Sequence, residues 1–437
     1  MPTKDATELD AKATAKLLID VLGEAEILQI ARDCRFIKRQ RDVTALGLLV
    51  ACMSTLGSGV ARWLADILRT FNAMTGKSVQ YKPFHKQLSK RQFPEFIRRV
   101  LERILSELTM PVLESLPKGK LSKFVDIRLH DGSSFALKDD LAGVWPGRFT
   151  KVSPAAVELH VTMSALADNP VSIVLAADKD SERAYAPKAT DLKGVLLLED
   201  RGYQDRRFFR DTQDAGGFYI VRGTKNIVPT ILTAHDESGR RLRHLEGKKL
   251  SWARLPAHHV DLEIEWSGKG QTYRGRLVVL YKKGKRNRKT FVYLHTNLSR
   301  TEFSIAEVGL LYRLRWQVEL LFKEYKSHAN LHRFDTVKAP IAEGLIWASI
   351  AVATLKRSIT HMAERILQVE LSTQRAAGAA KHYLDDVLRS LLQNGRFLIR
   401  VLRRTLHFFA NNLRRAHPAR DRKKGRLAAG LRHMAAA

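Results

Sequence analysis

Apolar residues recur at helical spacing through the first 120 positions. Leu17, Leu18, Val21 and Leu22 share one face, as do Phe96, Ile97, Val100, Leu101 and Ile104. The longest uncharged run, Val43 to Ala61, approaches the length of a bilayer span. Thr44, Ser54, Thr55 and Gly57-Ser58-Gly59 dilute it, so it reads as a buried helix ending at a Gly-Ser-Gly turn. Near 120 the pattern changes to β-rich runs at 123–129, 157–166, 171–177, 194–198 and 218–221, separated by turn formers such as Asp168-Asn169-Pro170. In the next stretch Val260, Leu262, Ile264 and Trp266 alternate with acids. A Ser-Gly-Lys-Gly turn then leads to a strand at 277–281, with another at 291–298. Helical patterning returns over 304–326, where Ser304 and Glu307 are spaced as a capping box, and again over 339–367 and 379–402. The expected architecture is α/β: a mixed sheet core interrupted by a β-rich insertion, with helical N- and C-terminal parts. The divisions fall at 1–120 (helical), 121–222 (core, first part), 223–300 (insertion), 301–370 (core, second part) and 371–437 (helical and basic).

Charge narrows the partner. Of 437 residues, 45% are apolar, enough for a large core and against disorder as the dominant state. Lys and Arg number 75 against 45 Asp and Glu, a net charge of +30 that calls for a polyanion. Nucleic acid fits first and an anionic membrane surface second. The excess is uneven. Positions 77–103 hold Lys77, Lys82, Lys86, Lys90, Arg91, Arg98, Arg99 and Arg103 against Glu95 and Glu102. The 223–290 segment is net +10, sixteen cations less six acids, and residues beyond 400 are rich in arginine. Two cysteines, Cys34 and Cys52, exclude a disulfide framework and a cysteine zinc site. The N-terminus lacks the apolar segment of a signal peptide. A soluble, cytoplasmic protein with no membrane span is expected.

The 304–326 helix carries the sharpest chemistry. Tyr312, Arg315, Glu319 and Lys326 lie at offsets that place them within an arc of roughly 60°, and Lys323 borders the same stripe. Leu311, Leu314, Val318, Leu321 and Tyr325 occupy the opposite side. One carboxylate is thus presented among cations and a phenol. A carboxylate can hold a divalent metal, and Arg, Lys and Tyr can hold phosphate oxygens. The same spacing also describes an ordinary amphipathic helix with an Arg315–Glu319 pair. Two further acids sit where strand-like runs end: Asp131, before Gly132-Ser133-Ser134, and Asp200, before Arg201-Gly202-Tyr203. Groups at strand ends of open α/β sheets often bind ligands, although turn and cap roles for Asp are common. Asp126, Glu199 and Glu324 are spaced to face away from this stripe. Asp178 and Asp180 are the alternative ligands. His328 and His332, four apart, lack a third ligand.

In combination, these residues resemble the DDE transposases of bacterial insertion sequences, in the insertion-sequence-four branch marked by Tyr-x2-Arg-x3-Glu-x6-Lys. Tyr312, Arg315, Glu319 and Lys326 match that signature. Asp131-Gly132-Ser133 and Asp200-Arg201-Gly202-Tyr203 match the two preceding Asp motifs, and the resemblance covers roughly 120–335. It implies a ribonuclease-H-like core in which Asp131, Asp200 and Glu319 are catalytic and ligate two Mg2+ ions, replaceable by Mn2+. It implies that Tyr312, Arg315 and Lys326 grip DNA near the cut, with Lys323 and Arg201 beside them. Trp316 is placed to stack on an unpaired base. The partners implied are the terminal inverted repeats and target DNA, bound by a homodimer. The resemblance further implies cut-and-paste strand cleavage and transfer. A nuclease without strand transfer and a non-catalytic DNA-binding regulator are the rival readings.

Overall fold

The chain was analysed as a computed structural model that describes residues 4–59, 63–109, 119–224, 227–268, 271–284, 289–331, 334–393 and 395–417. Six helices come first: α1 (Lys4–Leu22), α2 (Glu24–Asp33), α3 (Ala45–Gly57), α4 (Leu64–Thr75), α5 (Tyr81–Leu88) and α6 (Gln92–Glu107). The uncharged run forms α3, capped by Thr44, whose hydroxyl accepts from the Gly47 N–H, and buried along its whole length. It ends at Gly57-Ser58-Gly59, as the sequence predicts.

The sheet follows: β1 (Asp126–Ala136), β2 (Pro146–Phe149), β3 (Ser153–Ser164), β4 (Asn169–Ala177) and β5 (Val195–Glu199), then α7 (Arg206–Asp214) and β6 (Phe218–Gly223). It continues through β7 (Thr230–Asp236), β8 (Val260–Gly268), β9 (Gln271–Lys283) and β10 (Lys289–Thr296). These ten strands form one sheet in the order β2-β3-β1-β5-β6-β10-β9-β8-β7, with β4 also paired to β3. β1 runs antiparallel to β3 and parallel to β5, and β5 is parallel to β6; the remaining pairs are antiparallel. The result is a large mixed sheet with helical parts before and after it.

Its two largest apolar clusters among the described residues divide the sheet between them. The larger joins the N-terminal helices, the β1/β3 half of the sheet and the C-terminal helices. A separate cluster built from Ile231, Leu245, Leu250, Leu262, Ile264 and Leu277 underlies β7–β9.

Helix α8 (Ile305–Arg313) opens on the expected capping box: the Ser304 hydroxyl accepts from the Glu307 N–H, and the Glu307 carboxylate accepts from the Ser304 N–H at 2.7 Å. The single 304–326 helix is corrected to two, because the chain breaks before α9 (Trp316–His328). At the joint the N–H groups of Leu314 and Arg315 donate only three residues back, to Leu311 and Tyr312. That tighter winding rotates every later side chain relative to a straight helix. Helix α10 (Ala339–Leu367) matches its predicted span and is long and apolar enough to cross a membrane, but 83% of its most apolar window is buried inside the protein. The predicted 379–402 helix is likewise divided. The chain instead forms α11 (Thr373–Gly378), α12 (Leu384–Leu391) and α13 (Gly395–Asn412). The arginine-rich residues from 418 onward, and His332, lie outside the described residues.

Candidate active site

Asp131 is not at a strand end, contrary to the sequence reading. β1 continues past it to Ala136, still paired with β3, while its parallel neighbour β5 stops at Glu199, opposite His130. Asp131 is therefore the first β1 residue beyond the edge where β5 ends. Gly132-Ser133-Ser134, read as a turn, stays in the strand. Gly132 has a packing reason: a Cβ there would come within 2.5 Å of Glu158 Oε1, on the other face of the sheet. Asp200 does end its strand, immediately after Glu199. Because side chains alternate across a strand, Asp131 and Asp200 emerge on one face while His130 and Glu199 point to the other.

Helices α8 and α9 bring the remaining groups over that face. The Tyr312 hydroxyl donates to Asp200 Oδ1 at 3.3 Å. The Arg315 guanidinium bridges two acids: Nη1 donates to Asp131 Oδ2 at 2.8 Å and Nη2 to Glu319 Oε1 at 2.5 Å. Arg315 thus joins Asp131 to Glu319, and Tyr312, whose ring lies 5.9 Å from the Arg315 guanidinium, holds Asp200 beside them. The apolar side of the joint, Leu311, Leu314, Val318, Leu321 and Tyr325, is buried as predicted.

The other candidates divide. Lys326 is tied to β1, its ammonium donating to the Ser134 carbonyl at 3.0 Å, and burial lowers its pKa. Lys323 lies over the Trp316 ring, 5.0 Å from its centroid, and both are exposed on the outer edge of α9. Arg201 is exposed beside Asp200. Of the rival acids, Asp126 accepts from Ser164, Asp178 from the Arg148 backbone and Asp180 from Tyr185, away from this site. Glu324 is buried against Arg357. Arg222, which the sequence reading missed, stands 3.6 Å from Asp200 Oδ1. The signal was one residue away: the register Glu199↔Val221 places residue 222 level with Asp200, and the predicted strand stopped at 221.

Burial dominates the electrostatics of the cluster. Burial pushes the Asp131 carboxyl up to about 6; Arg315 works against the rise, while Asp200 and Glu319 add to it. Behind it, burial raises the Glu199 carboxyl well above its usual range and lowers His130 to about 3. The front face carries three carboxylates, the hard oxygen donors that divalent cations take. Among the described residues no three His, Cys, Asp or Glu side chains form the array of a single ion. Arg315 holds the gap between Asp131 and Glu319. The donor chemistry fits.

The sequence profile of the transposase DDE domain matches residues 123–355, more than half of the chain and all of this site. The chain belongs to the transposase DDE domain family. It is 22% identical over 428 residues to the transposase for insertion sequence element IS231E of Bacillus thuringiensis subsp. finitimus, covering 89% of each chain. It is 20% identical over 423 residues to that for IS1151 of Clostridium perfringens, covering 88% of this chain and 89% of that protein. A shorter match, 39% over 64 residues and covering 15% of this chain and 17% of that protein, joins it to InsL of insertion sequence element IS186A of Escherichia coli K12. Membership makes the protein an enzyme of mobile DNA, with DNA as its partner and divalent metal as the family's general requirement.

Proposed function

We propose that this transposase binds the terminal inverted repeats of an insertion sequence, cuts at their ends and joins the freed 3′-OH to target DNA. The observation that carries the reading is the convergence of Asp131, Asp200 and Glu319 around Arg315 and Tyr312 on one face of the sheet. The strand run β4-β3-β1-β5-β6, antiparallel through β1 and parallel after it, supports the ribonuclease-H-like core.

On this reading Asp131, Asp200 and Glu319 are the catalytic ligands of two Mg2+ ions, or Mn2+ in their place. When bound, such ions activate the attacking oxygen and stabilise the leaving one. The protein's own groups position the DNA. Arg315 and Lys326 supply positive charge to non-bridging phosphate oxygens, and Tyr312 donates a further hydrogen bond. Arg201 and Lys323 add positive charge beside them, and Trp316 offers a ring face to an unpaired base. The N-terminal helices at 1–120 and the basic insertion at 223–300 grip the inverted repeats. The two parts of the core, 121–222 and 301–370, carry the chemistry, and 371–437 supports pairing of two chains. Joining two element ends needs two active sites, so the working form is a cytoplasmic homodimer on DNA.

The test uses purified full chain, Mg2+ and duplexes carrying the inverted repeats that flank its gene. Asp131→Ala, Asp200→Ala and Glu319→Ala are each expected to abolish cleavage while end binding persists. Normal cutting by any one of them removes that residue from the site. Cleavage without joining marks a nuclease, and binding without cleavage by the unaltered chain marks a regulator.

A further inference from the structure

We propose that a second copy of this chain pairs strand to strand with the open sheet edge at β4, so that two active sites face the same side of one continuous sheet. The inference rests on the reading above, which requires two active sites, and adds an interface to the pairing assigned there to 371–437. The two edges of the sheet are finished differently. At β7 the chain folds back over its own edge. The Ile231 N–H donates to the Lys248 carbonyl, the Gly247 N–H to the Ile231 carbonyl and the Leu242 N–H to the Ala234 carbonyl. At β4 the only strand partner among the described residues is β3. Asn169 to Ala177 carries no charge, and Val171 and Val174 are 43% and 38% exposed. Charged side chains or a covering segment normally guard such an edge. Here Pro170 and the irregular pairing beside it guard one end alone.

The strand is its own complement. The Asp178 N–H donates to the Ala156 carbonyl at 3.1 Å. The alternation of an antiparallel ladder therefore binds Ala176, Val174 and Ser172 to β3 and turns the backbone groups of Ile173 and Leu175 outward. A two-fold axis at Val174 sets Ile173 against Leu175 of the second copy and Val174 against Val174, the isologous contact of a closed dimer. Charge favours the same occupant. Two chains of net charge +30 repel each other, and an uncharged strand is where they approach at least cost. A nucleic acid finds no cation along this strand.

The register carries the consequence to the active site. Ile173 is level with Val161 and, through it, with Asp131 on the same face of the sheet. Residues opposite each other in a strand pair share a face, so adding a second β4 keeps both carboxylate clusters on one side. Asp131 lies two strands in from the edge. The two copies of it are then five strand spacings apart, about 24 Å, and both face one target duplex.

The experiment uses the full chain on duplexes bearing its inverted repeat. Light scattering reads the number of chains per complex, and cleavage is scored separately. Val174→Cys should form a disulfide-linked pair on mild oxidation. Val152→Cys, at a position 88% exposed but outside the paired strand, should not, and the native Cys34 and Cys52 are buried. Val174→Lys should weaken two-chain assembly by more than about tenfold, because like charges are set face to face. Val174→Glu should do the same, and a mixture of the two variants should restore assembly. The proposal is overturned if either charged variant assembles like the unaltered chain, if the mixture restores nothing, or if Val152→Cys cross-links equally well. Cutting by an unaltered chain that binds only as one molecule also overturns it and leaves the reading of the active site standing. Pairing through Val174 without any cutting upholds the interface, and that reading fails instead.

Discussion

Among the described arginines that span two carboxylates, Arg315 and Arg357 each draw one acid from α9. Arg315 joins Asp131 to Glu319, and Arg357 joins Asp168 to Glu324. Glu319 and Glu324 are five residues apart, about 140° around the helix, so one set faces the sheet's front edge and the other the interior. The inner set is closed. Arg357 and Glu324 side chains are 4% and 3% exposed. Arg357 also donates twice to the Asp168 carbonyl, Glu324 accepts from Thr373, and His361 lies 3.4 Å from Asp168. Burial raises the Asp168 carboxyl, but Arg357 and His361 more than offset it and hold it near 2. At the outer set the balance reverses, and Asp131 ends near 6 with Asp200 and Glu319 still repelling it. The same chemical motif is thus a sealed lock in one place and, in the other, a half-open candidate site where Arg315 and Arg222 face three acids.

The largest expected effect tests the lock. Arg357→Ala leaves two buried carboxylates without their cation and should cost about 3–5 kcal/mol in urea unfolding. A loss below about 1 kcal/mol, the range of exposed pairs, would place the inner set among ordinary surface contacts and erase the contrast. Acid gives the next effect. A carboxylate held near 2 in the folded chain, against an ordinary 3.8, contributes stability that is full above the ordinary value. That contribution, on the order of 2 kcal/mol, is lost as pH falls from about 4 toward 2. Asp168→Asn should flatten that limb of the stability-against-pH curve. An unchanged acid limb would show that Asp168 is not the group being titrated.

How legible each set is in the sequence follows from how local its partners are. Ser304–Glu307, the α10 span and the buried side of α8 and α9 repeat at short spacing, and all were readable. Asp200 announced itself at the end of an apolar run. Asp131 was recognised as a residue but misplaced, because Gly132-Ser133-Ser134 carries turn chemistry while pairing with β3 keeps it extended. The break at Leu314–Arg315 has no proline or glycine to mark it. Lys356, Arg357 and His361 look like a solvated face of α10, yet all three are buried. Arg357 meets Asp168 from 189 positions away, and no periodicity encodes that contact. The family motifs were legible over roughly 120–335, whereas similarity to the insertion-sequence relatives extends over 89% of the chain.

The smallest expected change in stability is at Arg315, and it sharpens the comparison most. Glu319 and Asp131 are 28% and 20% exposed at their side chains, so water can reach them when the guanidinium is removed. Arg315→Ala should therefore cost only about 1–2 kcal/mol without metal, the scale of hydrogen bonds to charged groups. With Mn2+ the order should invert. In the unaltered chain a cation binding Asp131 and Glu319 competes with the guanidinium already paired to both, whereas in the variant it meets two uncompensated acids. The rise in Tm on adding Mn2+ should be larger for Arg315→Ala than for the unaltered chain, and Glu319→Gln should remove most of it in either background. Arg357→Ala should show no such gain, because its acids are sealed from solvent. An equal or smaller Mn2+ shift in Arg315→Ala would mean that Arg315 does not occupy the cation's place, and the two arginines would then differ only in depth of burial.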